Sequence, residues 1–498
     1  MRKLDKFLAL ALGTAMTVSA VAGCGSTTAT ETPATEAVKE TVAAEASAAE
    51  TTADDAGAAD AAEAVEVNTE FSGTLRMYGP GLFTDVGPDG TTDIVTGISK
   101  PGYNVVVERW KELYPNVELQ IETVPWDNWK AAAQTAALSG EVDIILHGSS
   151  IVAISEPISA YLEKDPEVAE AVGMMAMRKN SDLAPLSEYV PYGLTITVNP
   201  VMCVVDKDIL SHYGLETPKS DEWTLEDIVE IAKTCTGTDP VTGKQTYGIS
   251  MVEAASANKN YIWASRAMDN TIFEWGDTLA TTKVNFDTEK TRNVLNYLTE
   301  LSKYQSPDWI EGLDRATFYT EENDKAIMIV EGVYSSYNNI KLNGLEDRYA
   351  LVALPRIEGG EFDGITSSHM GDWNMSICNT SPQKDLAWEF LKFMVTDEVV
   401  QQWLLDTYSI PANKEASGRL NEYMPADYSD PISYVVNTSP LQFSASANNC
   451  YDSGNFGTFA NDLTTVLNEM AVGNMDADAA VEYVVTNLDS YMSTLNAN

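Results

Sequence analysis

The sequence predicts an α/β protein with doubly wound, mostly parallel sheets, and two observations carry that expectation. From about residue 71 onward, short apolar strand patterns alternate with helical ones in the order strand, helix, strand, helix, strand. That order builds βαβ units, because a crossover between parallel strands needs a helix's length of chain. A second α/β unit begins near residue 194. The chain of 498 residues has room for roughly two to four domains with large buried cores.

The chain opens with Arg2, Lys3 and Lys6, then an apolar run from Phe7 to Val21 broken by small residues. The run is too short to span a bilayer, and with its basic start it reads as an export signal over residues 1–23. Val21-Ala22-Gly23-Cys24 resembles a bacterial lipobox, in which the cysteine is acylated and becomes the first mature residue. This resemblance implies a lipoprotein whose Cys24 carries fatty-acyl chains such as palmitate and sits on the extracytoplasmic face of the cell membrane. Residues 25–70 hold eleven acids against Lys39 and no aromatic. Such a composition cannot offset its ordering entropy, so 24–70 is expected to be an anchored, flexible, acidic linker.

The net charge is −43, from 74 acids against 31 Lys and Arg. A surface of that sign repels nucleic acid and anionic lipid, leaving the membrane as a partner only through the anchor. After Cys24 the cysteines are Cys203, Cys235, Cys378 and Cys450, far apart and without CxxC spacing. They are expected to be buried free thiols and not zinc ligands, although export also permits a disulfide.

Thr74–Tyr78 reads as the first strand, followed by a Gly/Pro/Asp-rich loop over 79–102. Tyr103–Tyr114 is apolar at helical spacing, and Val117–Thr123 alternates as a strand. Trp129–Leu138 is an Ala-rich helix stopped by Gly140, and Val142–Leu146 is a short apolar strand. In the second unit, Leu194–Val198 and Met202–Val205 read as strands, and Thr224 caps a helix running to Cys235. Asp239–Lys244 is a turn, preferred here over a calcium loop. Helices are expected around Tyr261–Met268, Glu289–Tyr304 and Ala387–Leu405, with a closing pair, Leu463–Ala471 and Ala477–Leu495, broken at Gly473.

Several stretches together resemble the extracellular solute-binding proteins of sugar ABC transporters, the family of maltose-binding protein. They are Ala136–Ile145 with its Ser139-Gly140 and Asp143, Val205–Leu210 with Tyr213-Gly214-Leu215, Pro218 and Trp223–Asp227, and Lys325–Ile329 with Glu331–Tyr334. Leu354-Pro355 with Gly359-Gly360, Trp388–Met394 with Thr396-Asp397-Glu398, and Ile410-Pro411-Ala412 continue the series. Val205 stands where the family often has Asn, Asp324 replaces a glycine, and Tyr334 replaces a tryptophan. The resemblance implies a two-lobed periplasmic-binding-protein-like fold with three interlobe crossovers and a ligand cleft. Lobe one would comprise 71–190 plus 362–408, and lobe two 195–358 plus 411–498. The crossovers would fall near 191–194, 359–364 and 409–411.

The same resemblance implies a monomeric protein that captures a carbohydrate, an oligosaccharide in this reading, and hands it to an ABC permease. Sugars present apolar faces to aromatic rings and hydroxyls to polar groups. Tyr334 matches the family's stacking position, and Trp373 with Asp372 and His369 follows the second crossover. Tyr78, Trp126 and His147 sit at carboxyl ends of predicted strands, where open α/β sheets bind ligands. Trp263, Trp275 and Phe459 are further candidates in lobe two, while Trp110, Trp388 and Trp403 lie on apolar helical faces and read as core. No GxSxG, HExxH or P-loop occurs, and no metal or cofactor motif, so no catalysis is expected. The alternatives are a binder of a polyamine or peptide, and an anchored glycoside hydrolase using two of the many carboxylates.

Overall fold

The computed structural model describes residues 67–498, apart from 82, 84–85, 93–98, 126–127, 174, 180–188, 253, 255–256, 271–272, 275–282, 313–316, 331–332, 369, 440–456 and 498. The export signal, Cys24 and the linker as far as residue 66 lie outside the described residues, as does Cys450. The fold begins slightly before Phe71, since the Asn68 N–H already donates to the Leu113 carbonyl at 2.8 Å.

The strands of the two large sheets are β1 (Gly73–Gly79), β2 (Val117–Thr123), β3 (Ile144–Leu146), β4 (Met175–Lys179), β5 (Tyr189–Pro200), β6 (Met202–Asp206), β7 (Gly237–Thr238), β8 (Gln245–Ser250), β9 (Lys325–Val330), β10 (Tyr349–Ala353), β11 (Met370–Ile377) and β12 (Ile410–Pro411). The main helices are α1 (Asn104–Leu113), α2 (Trp129–Leu138), α3 (Leu225–Thr234), α4 (Asn258–Ala267), α5 (Glu289–Ser302), α6 (Val333–Leu342), α7 (Lys384–Thr396), α8 (Glu398–Asp406), α9 (Ala426–Thr438), α10 (Gly457–Ala471) and α11 (Ala477–Ala497). Thr224 caps α3 through a full capping box with Asp227. The single helix expected over Ala387–Leu405 is two, because Asp397 leaves the helical region and its carboxylate caps the N–H groups of Val399 and Val400. Helix α9 carries Pro431 in its interior, and the sequence reading had no helix there.

Sheet one has seven strands in the order β12-β5-β11-β3-β1-β2, with β4 also on β5. Sheet two has five, β10-β6-β9-β8-β7. Strand β1 is parallel to β2 and β3, and β8 is parallel to β9. The sheets are nevertheless mixed rather than mostly parallel. β11 runs antiparallel to β3 and β5, and β6 antiparallel to β9 and β10. These are the strands through which the chain passes between sheets, so they enter against the local direction.

Sheet two is covered on both faces, which is why β6 reads as an unbroken apolar run. Met202 and Val204 face the largest core, which continues through Trp110, Phe390 and Trp403 in sheet one's layer. Cys203 and Val205 face a second core that α3, α4, α5, α10 and α11 close. A small third core, including Trp129, Ala133 and Ile145, lies between sheet one and α2. Trp110, Trp388 and Trp403 are core residues, as their helical faces predict. Cys203, Cys235 and Cys378 are buried free thiols, and burial raises the Cys235 thiol to about 12.

The crossings are displaced from their expected positions. Strand β5 stays in sheet one to Pro200, so the first crossing is at Val201 and lobe two begins near 202. The second lies between Ala353 and Met370. The glycines of the crossover expected at 359–364 close a turn there: the Gly364 N–H donates to the Ile357 carbonyl, while the Glu358 N–H donates to the Ala267 carbonyl on α4. The third comes after β12, which pairs with β5, and the chain rejoins sheet two only at α9, which packs on β10. Beside this crossing Tyr337 of α6 meets Tyr408 edge-on at 5.5 Å, and Lys341 lies 5.2 Å from the Tyr408 ring.

Two fully buried carboxylates brace the lobes. Asp143, from the Ser-Gly-x-x-Asp stretch, accepts from the Arg76 N–H and guanidinium and from Ser381 at 2.7 Å. Asp206 caps the helical turn after β6 and accepts from Asn323 and Arg348. Two of the residues that carry the sequence resemblance, Asp143 and Asp206, therefore serve structure here.

Candidate functional site

The register brings the carboxyl ends of both sheets to the crossings. In sheet one Tyr78 pairs with Ile145, Leu146 with Met375, and Met370 with Pro200. The end of β5 therefore lies beside the start of β11, and the end of β3, next to that of β1, lies beside Met375 farther along β11. Strand β5 then passes through Val201 into β6. The first residue of β6, Met202, pairs with Val330 and with Ala353, the last residues of β9 and β10. Strand ends facing a crossing are where open α/β sheets leave backbone groups and loops available to a ligand.

On the sheet-one side a recess of about 20 Å³, room for one water, is lined by Pro80, Gly81, His147, Trp373 and Asn374 among others. Its glycines have a geometric cause. Gly79 has φ +137°, and a Cβ there would stand 2.7 Å from the Leu146 carbonyl. Gly81 has φ +130°, and its Cβ would reach Trp373 Cε3 at 3.2 Å. The backbone thus lies directly on the indole face, which only glycine permits. Trp373 itself is half-buried.

Behind the indole runs a polar chain. Asp372, 6% exposed, accepts from Asn374 Nδ2 at 2.9 Å and from Thr195 Oγ1 at 3.4 Å. Asn374 Oδ1 accepts from the Ser149 N–H at 3.1 Å, and its Nδ2 lies 3.5 Å from His147 Nδ1. His147 has φ 59°, held by its own N–H donating to the Asn374 carbonyl. Its ring lies 6.0 Å from Trp129. Tyr78 packs against the same small core as Trp129. Burial and the neighbouring Glu122 push its phenol up, which keeps it a neutral donor.

The structure therefore brings together Tyr78, His147, Asp372 and Trp373 of the sequence-predicted residues. Tyr334 is in the first turn of α6, directly after β9. Trp126, Trp275 and His369 lie outside the described residues. Trp263 and Phe459 are corrections. Trp263 is fully buried in lobe two's own core, edge-on to Tyr297, with its N–H given to Asn260. Phe459 is 1% exposed and packs edge-on against Phe286. Neither ring has a face to offer. The sequence reading missed Asn374 and Trp129. Asn374 lies two residues beyond Asp372 on a strand, and Trp129 opens the helix after β2, so period and topology were the available signals.

These features define a two-lobed α/β binding protein of the periplasmic-binding-protein class. The chain belongs to the bacterial extracellular solute-binding protein family, whose model matches residues 96–401. Among solved structures it resembles the sugar-binding protein MalE from Xanthomonas citri, at 14% identity and TM-score 0.64 over 85% of this chain and 98% of that one. A solute-binding protein of an ABC transporter from Thermotoga lettingae, bound with α-D-tagatose, is 18% identical, with TM-score 0.58 over 84% and 100%. An ABC substrate-binding protein from Listeria monocytogenes, in complex with cycloalternan, is 15% identical, with TM-score 0.57 over 85% and 100%. A search of curated protein sequences returns no match.

Proposed function

We propose that the protein captures a carbohydrate, specifically an oligosaccharide, outside the cytoplasm and delivers it to an ABC permease. The observation that carries this reading is the half-buried Trp373 beside the His147, Asn374 and Asp372 chain at sheet one's carboxyl end. An indole supplies a platform for a sugar's apolar face, and the adjacent polar groups suit its hydroxyls. Tyr334 would approach from lobe two, with Tyr78, Trp126, Trp275 and His369 completing the ligand site. A sugar touching both lobes favours the closed arrangement, which the permease would recognise. Cys24 would anchor the chain by lipid, with residues 25–70 as its tether.

A polyamine fits less well. Asp372 is nearly buried and already accepts from Thr195 and Asn374, which leaves it poorly placed to receive an ammonium group. The test is a thermal-shift screen of the full chain against mono- and oligosaccharides, spermidine and short peptides. A ligand at 100 times its Kd adds about 2.7 kcal/mol of stability. A glycan series that raises Tm and is recovered uncleaved supports the proposal. Cleavage would make the protein an enzyme, and a response to spermidine or peptide alone would remove the sugar.

A further inference from the structure

We infer that lobe one carries a second small-molecule site, which takes an aliphatic di- or polyamine in the cavity between α8 and the chain that follows β12. The inference does not depend on the carbohydrate reading, because no residue assigned to the sugar lines this cavity.

The cavity measures about 530 Å³, within the roughly 300–1,000 Å³ range of small-molecule pockets. Helix α8 lines it on one side and the stretch from Asn413 to Arg419 on the other. Both walls are held by caps. Asp397 accepts from the N–H groups of Val399 and Val400, and Asn413 Oδ1 from those of Glu415 and Ala416. Asn413 Nδ2 also ties its wall to the Val395 carbonyl at 2.9 Å. Trp403, 1% exposed, donates its N–H to the Pro101 carbonyl at 3.1 Å. The lining has acceptors in surplus. Glu398, Asp406 and Glu415 stand against one guanidinium, Arg419, which already donates to Gln402, Glu422 and Tyr423. Glu398 and Glu415 are exposed, and among the described residues neither carboxylate forms an ion pair. Gln401 is the buried member of the set, 6% exposed. Its Nε2 donates to the Met394 carbonyl at 2.9 Å, while its Oε1 has no partner. Turning the amide over would set Oε1 against that carbonyl, so its orientation is determined. A buried acceptor without a donor is a standing cost, which an N–H group entering the cavity would relieve. Surplus acceptors call for a ligand rich in N–H, and the excess of carboxylates calls for a cation. A metal ion does not meet both demands, since among the described residues no three of His, Cys, Asp and Glu gather as a ligand set. Carboxylates on different walls, with Val105, Val399 and Ala416 on the same lining, suit ammonium groups joined by methylene segments.

Titration calorimetry of the full chain with spermidine and putrescine, in about 0.15 M salt, tests the assignment. The salt screens the loose attraction that a chain of net charge −43 has for any polycation. The expected result is saturable binding of one spermidine per chain. Glu398→Gln with Glu415→Gln should weaken it about tenfold, and Gln401→Met about fivefold. Glu141→Gln with Glu167→Gln removes the same charge from exposed positions elsewhere and should leave binding unchanged. Unfolding curves check that each variant folds, and the exposed Glu398 and Glu415 keep the test decisive if Gln401→Met does not. No saturable binding of either probe, or equal weakening by the two glutamine pairs, would overturn the inference. So would binding that Trp373→Ala abolishes and the Glu398 and Glu415 pair leaves intact, since the amine would then lie at the sugar site. Spermidine affinity unchanged by a saturating glycan supports two separate sites. If spermidine responds to the variants as expected while no glycan binds, the amine site stands and the carbohydrate reading falls alone.

Discussion

In sheet one, Trp373 lies against Gly81 and is only partly buried, while in the lobe of sheet two, Trp263 and Trp309 are buried. Their N–H groups are also spent differently from those of a binding surface: Trp263 donates to Asn260 and Trp309 to the Val252 carbonyl, both within lobe two. The same residue type is thus only partly buried on a strand in one lobe and enclosed among helices in the other. The elements that come after each strand separate the two cases. After β1 comes a glycine turn that lies against the Trp373 indole, which packs on the largest core and stays only partly buried. After β8 come α4, α5 and α10, which close over the aromatics completely.

The contrast is broken most severely in lobe two. Trp263→Ala should cost about 3–5 kcal/mol in denaturant unfolding, because it leaves a cavity in a closed core. A loss below about 1 kcal/mol would mean that the ring is not core. Asp206→Ala should cost a similar ~3–5 kcal/mol, by stripping Arg348 and Asn323 of a buried partner. In lobe one, Trp373→Ala should cost less stability than Trp263→Ala, because the ring is only partly buried, yet weaken sugar binding by roughly 2 kcal/mol, some thirtyfold, as the apolar face loses its cover. Titration calorimetry beside the unfolding curve separates the two effects, and equal losses in both would erase the contrast between lobes. Gly79→Ala should cost about 1–3 kcal/mol through its left-handed backbone and the nearby Leu146 carbonyl, and should weaken binding as the turn shifts.

The smallest effect concerns acid stability in lobe two. Burial alone would raise the Asp239 carboxyl, but the N–H groups of Thr242 and Val241 and the His212 ring outweigh it and hold it at about 2. Its unfolded value is near 3.8, so its stabilisation is complete above about pH 4 and disappears as pH falls toward 2. Asp239→Asn should flatten that part of the pH–stability curve while leaving sugar affinity at pH 7 unchanged. An unaltered acid slope would show that other carboxylates govern it.

Much of the fold was legible because it is local. Alternating strands, the Thr224 cap and the break at Gly473 depend on neighbours within a few residues. The split at Asp397 was less legible, because an apolar pattern continues across it. Pro431 hid α9 for the converse reason: tertiary packing on β10 retains a helix that propensity argues against. A crossover was expected at 359–364, but glycine permits a bend without specifying which lobe owns it.

Of the site, sequence order placed Tyr78 and His147 at strand ends and Asp372 beside Trp373, since topology derives from the alternation of elements. Whether an aromatic ring is open or enclosed could not be read that way. Trp263 and Trp373 are chemically the same side chain, and their exposure is set by helices hundreds of residues away in some cases. The line from Thr195 through Asp372 and Asn374 to His147 joins three strands, or their ends, that meet only in the assembled sheet. Composition and periodicity are properties of a segment and determine which elements form. Solvent access and hydrogen-bond partnership are properties of what surrounds a residue, and these arise only when the sheets close.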